Sequence, residues 1–197
     1  MAARMLTHVH HRCTVLRMAV DHSPDALATL VTVTTYGSWI RGDRRGWIDR
    51  RGWIDRKHGL RSAAPELELA DRKRMKHPAY RFTDDRSRQV AEAIVQALAD
   101  RLAVTTYALS VDDWHAHIVL GATREPIGRL VKCVKDAGRY RLRAARPIWT
   151  AGYDKRWCFD ESTVITRIES VERHNERRGL DPRPWSLLVD PFAGHPR

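Results

Sequence analysis

The sequence predicts an α+β fold, a mainly antiparallel sheet with helices packed on one face, in its simplest form a ferredoxin-like or RNA-recognition-like sheet. Three observations predict it. The segments run strand, helix, hairpin, helix, helix; the strand segments are short and rich in β-branched residues; and 197 residues supply one well-buried core but not two domains and a linker. The reading places a flexible leader over 1–24, one domain over 25–180 and a loop-like tail over 181–197.

The first strand is ALATLVTVTT, from Ala26 to Thr35, which has no Gly or Pro and stops at Tyr36-Gly37. A helix follows from Asp84 to Leu102, where Val90, Ile94, Val95, Leu98 and Leu102 recur at helical spacing and Thr83 or Asp84 can cap the start. Two strands, 103–111 and 114–122, then form a hairpin about the Asp112-Asp113 turn. Pro126 opens the next helix at its first position. Ile127, Leu130, Val131 and Val134 make the buried stripe of that helix, while Arg129, Lys132, Lys135, Arg139, Arg141 and Arg143 load the remainder with positive charge that suits a phosphate backbone. Past Pro147 and Gly152, the last helix runs from about Asp160 to Arg178, with Val164, Ile165, Ile168 and Val171 inward and Gly179 as a stop.

Charge narrows the partners. There are 35 Lys+Arg against 24 Asp+Glu, a net charge of +11 carried mostly by arginine, which matches phosphate geometry better than lysine does. A genome that favours arginine codons produces the same excess, so charge poses the question of nucleic acid without answering it. Cys13, Cys133 and Cys158 are odd in number and lack CxxC spacing, which excludes a disulfide framework and a cysteine zinc site and fits a reducing cytoplasm. No apolar run reaches the roughly 18 to 20 residues that span a bilayer, and the basic N-terminus has no signal core.

Between the first strand and the first helix, RRGWID occurs in tandem, at Arg44 to Asp49 and at Arg50 to Asp55, which reads as a duplication lengthening a loop. Trp39, Trp47 and Trp53 lie beside Arg41, Arg44 and Arg45, the mixture with which a single-strand binder stacks on bases and meets phosphates. The same indoles can instead fold back onto the sheet.

The sharpest local pattern is Trp114-His115-Ala116-His117-Ile118-Val119-Leu120. Residues two apart on a strand share a face, so His115 and His117 present two imidazoles together, a chelating pair. His8 and His10 repeat the spacing in the leader, with neither a surrounding strand nor a following helix to close a site. A third ligand is available from the last helix. His174 and Ser170 sit one turn apart on a face directed away from Ile168 and Val171, and Asn175, the alternative ligand, falls over the apolar side.

Most of residues 27–178 resembles the HUH single-tyrosine transposases, in the insertion-sequence group that includes the REP-associated tyrosine transposases. The resemblance is carried by TTYGSWIRGDRRGWIDR, the HAHIVL strand, GRLVKCVKDAGRYRLR, and Trp149-Thr150-Ala151-Gly152 followed by WCFDES. It implies an HUH fold with Mg2+ or Mn2+ on His115, His117 and His174 or Asn175, acting on single-stranded or hairpin DNA, and a possible homodimer. It also implies a bacterial cytoplasmic or nucleoid location. DNA contacts are expected from Trp39, Arg41, Arg44, Arg45 and Trp47 of the loop and from Arg129, Lys132, Lys135 and Arg139 of the basic helix. The family's nucleophilic tyrosine coincides here with Ser170, leaving Tyr140 and Tyr153 as substitutes. Two other functions fit the same residues: a domesticated or decayed DNA-binding protein without chemistry, and an RNA-binding sheet protein with no affinity for metal.

Overall fold

Alternation of β-branched and small residues makes Ala28–Thr34 a strand, β1, with Val31 and Val33 on one side and Ala28, Leu30, Thr32 and Thr34 on the other. The structure, a computed structural model, describes residues 22–47 and 60–193. The leader through residue 21, with His8 and His10, and the second RRGWID copy with Trp53 lie outside the described residues. After β1 come α1 (Pro65–Arg74), α2 (Asp84–Leu102), β2 (Thr106–Val111), β3 (His115–Gly121), α3 (Ile127–Arg141), β4 (Asp154–Cys158) and α4 (Glu161–Glu176).

The four strands form one antiparallel sheet in the order β2-β3-β1-β4. With α2 between β1 and β2 and α3 between β3 and β4, this is the βαββαβ ferredoxin-like arrangement, and the α+β class is the one observed. Thr83 caps α2 by accepting from Arg86 N at 3.4 Å, and Asp160 caps α4 by accepting from Thr163 N at 2.7 Å. Pro126 lies one residue earlier than expected, as the N-cap of α3.

Helices α2 and α3 cover one face of the sheet. Val90, Ile94 and Leu98 of α2 and Leu130 and Val134 of α3 are buried on Val31, Val33, Leu109, Ile118 and Leu120. The last helix departs from that layer: α4 crosses the opposite face, burying Val164, Ile168 and Val171 against Ala28, Ala108 and Val119. Side-chain parity settles the matter, because Val119 shares its face of β3 with His115 and His117, so α4 is the helix that meets the histidines.

Two elements were not anticipated. Helix α1 has no buried residue and therefore no apolar stripe to betray it. Strand β4 is five residues, Asp-Lys-Arg-Trp-Cys, on the sheet edge, too short and too charged to read as a strand. Residues 183–193 are loop-like, as expected, and pack against the sheet. Trp185 is buried and donates its indole N–H to Leu109 O at 3.0 Å, and Val189 N donates to Thr106 O at 3.0 Å, so this stretch closes the β2 edge.

Candidate metal centre and adjoining cleft

Strand β3 presents His115 and His117 on the α4 face, and α4 brings His174 over them. The ring centroids lie 4.2 Å apart for His115 and His117, 4.8 Å for His117 and His174, and 5.5 Å for His115 and His174. One ligand atom from each of the three lies within 4.8 Å of those of the other two, so the cluster is able to hold a metal ion. The sheet register supplies the outer partners. Thr32 of β1 pairs with His117, and its Oγ1 lies 2.9 Å from His117 Nδ1. Asp112 at the hairpin turn puts Oδ2 2.7 Å from His115 Nδ1, while its Oδ1 accepts from Trp114 N and His115 N at 2.9 and 2.8 Å. With Thr32 Oγ1 bonded at His117 Nδ1 and Asp112 Oδ2 close beside His115 Nδ1, Nε2 is the less hindered nitrogen of each ring for an ion.

His117 and His174 are held toward the neutral form, the one that ligates. Burial lowers the His117 pKa to about 3, helped by the nearness of His115 and His174 and opposed by Asp112; burial also lowers His174, with His115, Arg177 and Arg173 adding to it. The sign for stability follows. Below the ordinary pKa of 6.5 the unfolded chain takes up a proton that folded His117 refuses, so stability is complete above 6.5 and drains as pH falls toward 3. Thermal melts of the metal-free protein should drop between pH 6.5 and 4.5, above the range where aspartates titrate, and His117→Gln should flatten that decline. Equal slopes for parent and variant would contradict it.

Beside the cluster, on the same face, a cleft of about 360 Å3 is lined by Thr32, Thr34, Trp39, Ile40, Thr150 and Tyr153, with Arg41 and Asp71 also in the wall. Thr32 touches both sites. Trp39 is 36% exposed and is oriented by its indole N–H donating to Gly46 O at 2.7 Å.

Several residues expected to contact DNA have other work. Trp47 is buried and donates to Ser62 O at 3.0 Å, so it folds back onto the protein instead of standing out. Arg41 is bidentate to Asp71 at 2.7 and 2.5 Å. Arg45 bonds Asp43 at 2.8 Å and Ser38 O at 2.5 Å, and lies 4.2 Å from the centre of the Trp114 ring, pinning the loop to the histidine strand. Arg44 is exposed. Lys135 donates to the carbonyls of Thr150, Ala151 and Gly152 at 2.7, 3.1 and 2.8 Å, and burial lowers its pKa to about 8. It builds the cleft wall. Arg129 and Lys132 pair with Glu125 and Asp136 one turn away, at 2.8 and 2.5 Å, and with Arg139, which is exposed, they lie on a helix packed against the face opposite the histidines.

Among the other candidates, Asn175 ties α4 to the sheet. It is fully buried and its side-chain nitrogen donates to Leu109 O at 3.0 Å and Pro182 O at 2.9 Å, tying α4 to β2, while His174 joins the histidine cluster. Ser170, one turn before His174, is partly exposed. Tyr140 is 65% exposed on α3, away from the cluster, whereas Tyr153 lines the cleft and burial raises its pKa. The sequence reading missed Thr32 and Asp112 as partners of the histidines, and Arg173 and Arg177 beside His174. Asp112 was visible only as a turn residue, and Thr32 needs the strand register.

No family model matches this chain, and no curated protein matches it. Among solved structures it is similar to one described as a REP-associated tyrosine transposase bound to a REP hairpin, with a TM-score of 0.45 and 10% identity over 80% of this chain and 71% of that one. No helix among the described residues is long and apolar enough to cross a membrane.

Proposed function

We propose that this chain is an HUH transposase-like protein that binds single-stranded or hairpin DNA across the sheet face carrying His115, His117 and His174. The observation that carries the reading is the meeting of three imidazoles, two of them with oriented Nδ1 atoms, beside an aromatic-walled cleft in a chain of charge +11. An ion would be held by the three histidines and would polarise a phosphate as a Lewis acid. The chain's own groups do the remainder. Trp39 and Tyr153 offer faces for an unpaired base, Thr32 and Thr34 offer hydroxyls along the sheet, and Arg173 and Arg177 bring positive charge to the rim at His174.

Ser170 stands where the resemblance places a tyrosine. A serine hydroxyl is shorter and far less acidic than a phenol, and no base is bonded to it among the described residues, so strand cleavage and rejoining are weak or lost while binding is kept. This favours a DNA-binding relative of such enzymes, acting in a bacterial cytoplasm, over an efficient nicking enzyme.

Fluorescence anisotropy with a labelled single-stranded hairpin oligonucleotide tests the reading. Trp39→Ala removes a stacking face worth about 1–3 kcal/mol per base and should weaken binding roughly five- to hundredfold. Arg129→Ala, on the far side of the sheet, should leave binding nearly unchanged. The reverse ranking, or equal affinity for duplex and single strand, would refute binding on the histidine face.

A further inference from the structure

We infer that the three-histidine centre is built for a borderline transition ion of the zinc class and discriminates against Mg2+. The inference deepens the metal-centre reading above and rests on it. Three imidazoles converge, and no carboxylate among the described residues joins them. Mg2+ demands near-octahedral oxygen coordination and is bound through carboxylates and phosphates, whereas imidazole suits Zn2+, Co2+ and Ni2+.

The oxygens of Asp112 and Thr32 lie beside the histidine Nδ1 atoms. Asp112 spends Oδ1 on two backbone N–H groups and Oδ2 on His115 Nδ1. Thr32 Oγ1 is engaged by His117 Nδ1. A site for a hard ion would turn such oxygens toward the metal; here they sit behind the histidines. There they fix ring orientation, and in the case of Asp112 they raise the donor strength of the imidazole, which strengthens a nitrogen-bound ion and does nothing for an oxygen-seeking one. Asp112 and Thr32 are therefore positioning residues. Mn2+, at the weak end of the nitrogen-ligand series, falls between the two classes.

The test uses the full chain, stripped of metal with a chelator and titrated calorimetrically with Zn2+ in the presence and absence of millimolar Mg2+. Co2+ substitution is read by visible absorption. The difference between the parent and His117→Ala isolates the centre from any uptake by His8 and His10. Expected are one Zn2+ per chain lost in His117→Ala, an affinity unmoved by Mg2+, and the intense absorption of low-coordinate cobalt. Asp112→Asn, which keeps an oxygen for the backbone bonds, and Thr32→Val should each weaken Zn2+ about 10- to 100-fold with the circular dichroism spectrum unchanged. Displacement of Zn2+ by Mg2+, a weak six-coordinate cobalt spectrum, or full affinity in both positioning variants would overturn the inference. Oligonucleotide binding in the same samples separates the two readings. Zinc binding without DNA binding sinks the proposed function alone, and Mg2+ preference with DNA binding sinks this inference alone.

Discussion

Under the proposed function, replacing Ser170 by tyrosine is expected to produce a covalent adduct with single-stranded DNA. The residue sits one helical turn before His174, so its side chain projects along the same face of α4 as a ligand of the candidate metal centre. A phenol there has longer reach, and its pKa of about 10 makes phenolate accessible where serine alkoxide is not. Its oxygen would bond to phosphorus as the strand's P–O bond breaks, leaving the DNA end on tyrosine and a free hydroxyl on the other fragment. A correctly placed nucleophile or acid-base group contributes typically 10²- to 10⁴-fold, so adduct formation should rise at least about a hundredfold over the parent. A denaturing gel with a labelled hairpin oligonucleotide reads this directly, and adduct should disappear in the Ser170→Tyr, His117→Ala double variant. If Ser170→Tyr binds DNA and metal yet forms no adduct, the position is not that of the missing nucleophile. If the parent already forms adduct, Tyr153, which lines the cleft, becomes the residue to replace.

The second large effect is on stability. Ile118 is fully buried in the middle of β3, on the face opposite His117, where it meets the α2 and α3 layer beside Val31 and Leu109. Ile118→Ala should cost about 2–5 kcal/mol, through lost apolar transfer and the cavity left behind. Against a typical total of about 5–15 kcal/mol this is a major loss, read as a lower urea midpoint with an unchanged slope. Ile118→Val should cost roughly 0.5–1.5 kcal/mol. A change below that for the alanine variant would mean that the two-helix layer does not close over β3 as described.

Some of this molecule was legible in residue order and some was not, for identifiable reasons. The β1, β2, β3, α2, α3 and α4 segments announce themselves because each buries one periodic face: α2 runs Asp84–Leu102 as its apolar spacing and Thr83 cap imply. Helix α1 and strand β4 bury little, so their patterns carry no period. The histidine pair was legible because period two holds on any strand, and His174 because its helix has a clear apolar side to point away from. Direction relative to the sheet was not legible. Nothing local in Lys135 or Arg129 says which face α3 will cover, and that choice removes the basic helix from the histidine side. Arg45 and Trp47 likewise look like contacts for DNA until the loop closes and gives them Trp114 and Ser62 as neighbours.

Lys135 carries a consequence for how the net charge should be counted. Its ammonium is enclosed by three carbonyl oxygens at the cleft wall, so under the proposed function it is held off the phosphates and displaces no counterion condensed on DNA. The slope of log affinity against log salt measures phosphates met, about 0.7 for each on a single strand, and not formal charge. Under the proposed function, the salt sensitivity of DNA binding should therefore be set by the cations that reach phosphate, Lys135 not among them, and not by the formal +11.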